Sequence, residues 1–168
     1  MKTEHFEKLS VFNFSTVYPS VCRLEFNPKS KHDSGDIAFH FPDKSKVFLT
    51  WGALEKARKK FETLEEYAEN SIKVVKKAAK TFERVPPYSL NLNSHNAIYN
   101  QTSLSEKSPG LFGAGRQSIK HGTYSIHLYC EESSRFFVIY AVFSSTDEST
   151  DESFKEIFMK MANSFQCH

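Results

Sequence analysis

A chain of 168 residues, 39% hydrophobic and 25% charged, has the size and balance of one globular domain. A net charge of +2 and a pI of about 8.3 exclude the strongly basic profile, pI above ~9, that marks a nucleic-acid-binding domain. Only six Gly and six Pro argue against disorder, and sixteen Phe with seven Tyr predict a core rich in aromatic rings.

The opening residues, MKTEHFEKLSVFNF, interrupt every apolar stretch with charge and contain no signal-peptide core. No apolar run approaches the ~20 residues of a membrane-spanning helix. Cys22, Cys130 and Cys167 are odd in number and lack CxxC spacing, which predicts reduced thiols in a soluble cytoplasmic protein. Residues 1–168 are expected to form a single domain, with 1–17 an N-terminal extension or first element.

In VCRLEFN (21–27), DIAFHFP (36–42) and KVFLTWG (46–52), apolar and polar residues alternate. With the turn residues of NPKSKHDSG between the first two, they predict an antiparallel meander. GALEKARKKF (52–61) predicts a short helix or turn. Thr63 followed three residues on by Glu66 is a capping box, and Leu64, Tyr67, Ala68, Ser71 and Val75 recur at helical spacing. Acidic residues at the start and Lys73, Lys76, Lys77 and Lys80 at the end match the helix dipole, so a long helix is expected over 64–80.

After Pro86-Pro87, residues 88–104 predict a strand pair turning near Asn93-Ser94. SIKHGTYSIHLYCEE (118–132) and SRFFVIYAVFSS (134–145) predict two long strands. The second is apolar at nearly every position, as expected of a central strand covered on both faces. Ser149 and Glu152 offer a capping box for a C-terminal helix over 152–165, with Phe154, Ile157, Phe158, Met161 and Phe165 as its buried stripe.

The stretch GLFGAGRQ (110–117) holds three glycines in six residues. A phosphate loop sits between a buried strand and a helix N-terminus. Here TSLSEKSP precedes it, IKHGTYSIHLY follows it, and the G-x-x-G-x-G spacing matches neither common fingerprint. It reads as a loop, with Arg116, Lys120 and His121 able to bind an anion nearby. His127 and Cys130, three apart on a strand, point to opposite faces and cannot share an ion. The adjacent pair Cys167-His168 is expected to diverge. Folding could gather His95, His121, Cys130 and Cys167 around zinc, but no spacing requires it, so no metal or cofactor is assigned. No G-x-S-x-G elbow is present, and Cys130 in its strand reads as a buried, inert thiol. Trp51, beside Gly52 at a strand end, is a candidate to line a cleft or anchor a partner.

The segments FHFP with KVFLTWG, TLEEYAENSIKVVKKA, LNSHNAIYNQT, TYSIHLY, RFFVIYAVF and FKEIFMKMANSF follow one another in an order that resembles the PsbP-like superfamily. That superfamily includes an extrinsic photosystem II subunit and a small Ran-binding import factor. The resemblance spans roughly residues 18–166, and Ser94 stands where a Gly is common. It implies an α+β fold: an α/β/α sandwich around an antiparallel sheet of about six to seven strands. It also implies a non-catalytic binding role, and it carries over no functional residue.

These readings favour a small non-catalytic binding or adaptor protein with a protein partner. Its predicted binding residues are Trp51, Arg116, Lys120 and His121, on a surface joining loop 105–121 to the strand end at Trp51. One alternative is a ligand-binding or metal-binding domain or enzyme using His95, His121 and Cys130. Another is an accessory nucleic-acid binder using the basic helix face, which the mild net charge disfavours.

Overall fold

The structure, a computed structural model, describes residues 5–77, 81–107, 118–145 and 148–168. Two strands, β1 (Phe6–Val11) and β2 (Phe14–Pro19), form a separate antiparallel hairpin. Residues 6–17, expected as an extension or first element, therefore belong to this hairpin. Its turn residues Phe12 and Asn13 both have positive φ, 49° and 59°, as a two-residue primed turn demands.

The main sheet has seven antiparallel strands: β3 (Arg23–Phe26), β4 (Gly35–His40), β5 (Lys46–Ala53), β6 (Glu83–Leu92), β7 (His95–Lys107), β8 (Ser118–Cys130) and β9 (Arg135–Ser145). Their spatial order is β3-β4-β5-β9-β8-β7-β6. The predicted meander is one wing, and β9, the most apolar stretch, is the central strand. Its burial alternates between buried and half-buried positions, with Ser144 exposed near its end, rather than being complete on both faces. The reason lies in the covering layers.

One face is sealed by the β1–β2 hairpin and by helix α3 (Glu148–Asn163). Phe137 meets Phe165 at 4.9 Å, Phe143 meets Phe154 at 5.3 Å, and Tyr124 meets Phe158 at 5.5 Å between ring centroids. The other face carries α1 (Leu54–Arg58) and α2 (Leu64–Lys77), which cover it only partly. There Tyr67 packs edge-on against His127 and Phe136. The architecture is the expected α/β/α sandwich with a central antiparallel sheet.

The capping box opens α2 as predicted: the Glu66 amide donates to Thr63 Oγ1 at 3.2 Å, and the Glu62 and Thr63 amides donate to the Glu66 carboxylate. The helix is described to Lys77; residues 78–80, also expected in it, lie outside the described residues. The C-terminal helix starts and ends earlier than the expected 152–165. Ser149 thus falls inside the helix rather than capping it, and Phe165 lies beyond its end, buried against Phe14 and Phe137. No helix among the described residues is long and apolar enough to cross a membrane.

Candidate functional site

The four predicted binding residues do not meet. Arg116 lies outside the described residues, as does GLFGAGRQ itself. Trp51 is 1% exposed and donates its indole N–H to the Lys31 carbonyl at 3.0 Å. It pairs with Phe137, which pairs with Leu128. Lys120 and His121 sit seven or eight residues further along β8, roughly 25 Å away at a strand rise of about 3.3 Å per residue. Lys120 is paired with Asp151 at 2.8 Å, and His121 Nδ1 contacts Ser144 Oγ at 2.7 Å. Trp51 and the Lys120/His121 strand end therefore occupy opposite ends of the sheet, because an antiparallel register carries each strand's two ends far apart.

The same register divides the set His95, His121 and Cys130. His121 is nine residues from Cys130 on one strand, whereas His95 and Cys130 lie close together. Cys167 and His168 join them, against the expectation that this adjacent pair diverges. The expectation holds for regular strand or helix; residues 164–168 follow the end of α3 and are irregular. The Ser15 amide donates to the Gln166 carbonyl and the Gln166 amide to the Ser15 carbonyl, both at 2.9 Å, which lays this segment beside β2. The Asn93 amide donates to the Asn163 and Phe165 carbonyls, bringing the β6–β7 turn over the same segment.

In the resulting cluster, Cys167 Sγ lies 2.7 Å from Cys130 Sγ, 3.2 Å from His95 Nε2 and 3.4 Å from His168 Nδ1. Cys130 Sγ is 3.6 Å from His168 Nδ1. All four donor atoms fall within 4.8 Å of one another, close enough to hold a metal ion. On its far side, His168 Nε2 meets the Glu132 carboxylate at 2.6 Å. Burial acts to raise the Cys130 thiol, but hydrogen bonds led by that from Cys167 hold it below its ordinary value. Burial, and then the bond to Cys130, push Cys167 upward. The two shifts run in opposite directions because the Cys167 thiol donates to Cys130 Sγ. His127, by contrast, lies on the other face of β8, as its spacing from Cys130 predicts.

A second feature is an open cleft of about 960 Å³ on the α1 side of the sheet. Trp51, Gly52 and Phe136 form its floor, and Phe61, stacked on Tyr67 at 4.8 Å, forms a wall. Lys31, Lys56, Lys59 and Lys60 stand around it. Lys59 pairs with Glu55, and Lys56 and Lys60 are exposed. The sequence offers Trp51 as a candidate cleft or anchor residue, whereas GALEKARKKF, which carries three of these lysines, predicts only a short helix or turn.

No family model matches the chain, and no curated protein matches it. Solved structures do. The solution structure of cyanobacterial PsbP (CyanoP) from Synechocystis sp. PCC 6803 matches with a TM-score of 0.65 and 11% identity, covering 100% of this chain and 95% of that one. The crystal structure of the Saccharomyces cerevisiae Ran-binding protein Mog1p matches with a TM-score of 0.57 and 8% identity, covering 98% and 96%. At such identities the likeness concerns the backbone, and it extends over essentially the whole of all three chains. The seven-stranded antiparallel sheet, sealed by a C-terminal helix and hairpin on one face and by a long helix on the other, is therefore the PsbP-like fold.

Proposed function

We propose that this protein is a non-catalytic binding protein whose lysine-rimmed cleft docks an acidic segment of a protein partner. The cleft beside α1 carries the reading: an aromatic floor offers apolar contact, and lysines around it attract negative charge. Asp33 also lines the cleft, but Lys31, Lys56, Lys59, Lys60 and Arg135 outnumber it, so the lining is net positive. The fold neighbour Mog1p is a Ran-binding protein, a protein-docking use of the same scaffold. The cytoplasmic setting and protein partner expected from the sequence accord with this reading.

The test is an array of acidic peptides carrying one aromatic or aliphatic residue, with scrambled neutral peptides as controls. Hits are then titrated in solution and followed by the fluorescence of Trp51, the single tryptophan, on the cleft floor. Binding should weaken with added salt and be lost in the double variant Lys56→Glu/Lys60→Glu. Equal binding by the variant, or no preference for acidic peptides, overturns the proposal.

A further inference from the structure

We propose that His95, Cys130, Cys167 and His168 form a tetrahedral site for a zinc ion that clamps the C-terminal segment onto the sheet. The donor set comes from three places distant in sequence: the start of β7, the end of β8 and the irregular segment after α3. Two thiols and two imidazoles are the ligands of closed, structural zinc sites, and their softness selects zinc over calcium or magnesium.

The distances fit. With Zn–S of about 2.3 Å and Zn–N of about 2.0 Å, the edges of a ligand tetrahedron run roughly 3.3–3.8 Å. Three of the observed separations, 3.2, 3.4 and 3.6 Å, already lie close to that range. The two sulfurs, 2.7 Å apart, must open by about 1 Å to reach a tetrahedral edge, and the separations from His95 to Cys130 and His168, within 4.8 Å, must settle to the same range.

The surroundings support the same assignment. Metal-bound histidines commonly hold a carboxylate with the nitrogen that does not face the metal, which fixes the ring. His168 does this: Nδ1 faces both sulfurs, and Nε2 meets Glu132 at 2.6 Å. Cys130 and Cys167 are buried, whereas His168 is exposed and His95 half-buried beside open space lined by Asn93, Ser94 and Gln166. That arrangement gives an ion a path from solvent to buried sulfurs. The cysteines bind as thiolates and release their thiol protons to solvent, and both imidazoles bind neutral. With four protein ligands, no position is left for a substrate, so the ion's role is to fasten the chain.

The test uses the full chain, purified under reducing conditions and loaded with Zn2+ or Co2+. Elemental analysis should give one zinc per chain. Bound Co2+ should show the visible bands of tetrahedral geometry and a near-ultraviolet thiolate charge-transfer band. Cys167→Ser should weaken that band, and His95→Ala and His168→Ala should each lower affinity by more than tenfold. Glu132→Gln, which leaves every ligand in place, should lower it about 10-fold, the low end for outer-shell carboxylates. His121→Ala, far from the site, should bind as the parent does. Circular dichroism checks that each variant folds. Should the cysteine variant unfold, the two surface-side histidine variants decide the matter. Co2+ spectra without thiolate charge transfer, unchanged affinity in both histidine variants, or a covalent Cys130–Cys167 link persisting under reducing conditions would each overturn the proposal.

Discussion

The buried guanidinium of Arg135 donates to the Cys167 carbonyl at 3.1 Å, tying the first residue of the central strand to the segment that follows the last helix. The same side chain, 2% exposed, donates to Phe12 O at 2.7 Å, His32 O at 3.1 Å and Asn13 O at 3.4 Å, and it lies over the Phe14 and Phe137 rings. One residue thus satisfies carbonyls from the N-terminal hairpin turn, the β3–β4 loop and the C-terminal segment. It also secures the positive-φ turn at Phe12-Asn13, where a bulky residue in the left-handed region costs about 1–2 kcal/mol.

Replacing Arg135 with Ala should therefore destabilise the protein by about 3 kcal/mol or more, since charge-assisted hydrogen bonds are lost and buried carbonyls are left unpaired. Arg135→Lys should recover only part of this, because an ammonium cannot span four carbonyls as a planar fork does. Urea unfolding of the three proteins measures it. Equal midpoints for the parent and the Arg135→Ala variant would contradict the clasp.

His127 predicts a dependence of stability on pH. It is 1% exposed, and burial lowers its pKa from 6.5 to about 4. Ser71 Oγ donates to the Tyr67 carbonyl at 3.2 Å and lies 2.9 Å from His127 Nε2, so Nε2–H donates to Ser71 and the ring is neutral. Between pH 6.5 and 4 the unfolded chain binds a proton that the folded chain does not. The contribution of neutral His127 is thus complete above about pH 6.5 and is lost as pH falls toward 4, up to about 3 kcal/mol. Denaturation midpoints at pH 7 and pH 4.5 should converge more in His127→Gln than in the parent; equal slopes would refute this.

Gly122 is constrained by packing. A Cβ there would run into the Phe143 ring, and that ring is itself held between Tyr124 at 4.8 Å and Phe154 at 5.3 Å. Gly122→Ala should cost about 1–3 kcal/mol through overpacking. In Gly122→Ala/Phe143→Leu the two effects should fall well short of additive, since the smaller side chain removes the clash. Additive losses in a thermal-unfolding cycle would show that the ring is not the obstacle.

Lys56 and Lys60 separate binding from folding. Both are exposed at the cleft rim, and surface charges of this kind contribute little to stability. Lys56→Glu/Lys60→Glu should keep its unfolding midpoint to within about 0.5 kcal/mol in free-energy terms while losing acidic-peptide binding. A folding defect of several kcal/mol would assign these lysines to the scaffold.

Much of the fold was legible because local patterns and burial agree. The period-two runs at 36–42 and 46–52 became adjacent strands, and the Thr63–Glu66 box opened α2. FFVIYAVF became the strand between β5 and β8. Helix boundaries were less legible: Ser149 and Glu152 look like a capping box, yet the helix begins at Glu148. For Trp51 the sequence offered a candidate cleft or anchor residue, and its burial depends on the Lys31 carbonyl and on Phe12 and Phe14 from another element.

The sequence by itself determined the element types after the N-terminal hairpin, the antiparallel character of the main sheet and the separation of His127 from Cys130, since each depends on periodicity within a few residues. Only the tertiary structure decided which of the histidines and cysteines meet. His95, Cys130, Cys167 and His168 converge because a hairpin turn, a strand end and an irregular segment are held together by Asn93, Ser15 and Arg135. Contacts between residues so distant in sequence leave no periodic trace in the chain, so spacing alone could neither include His168 nor exclude His121.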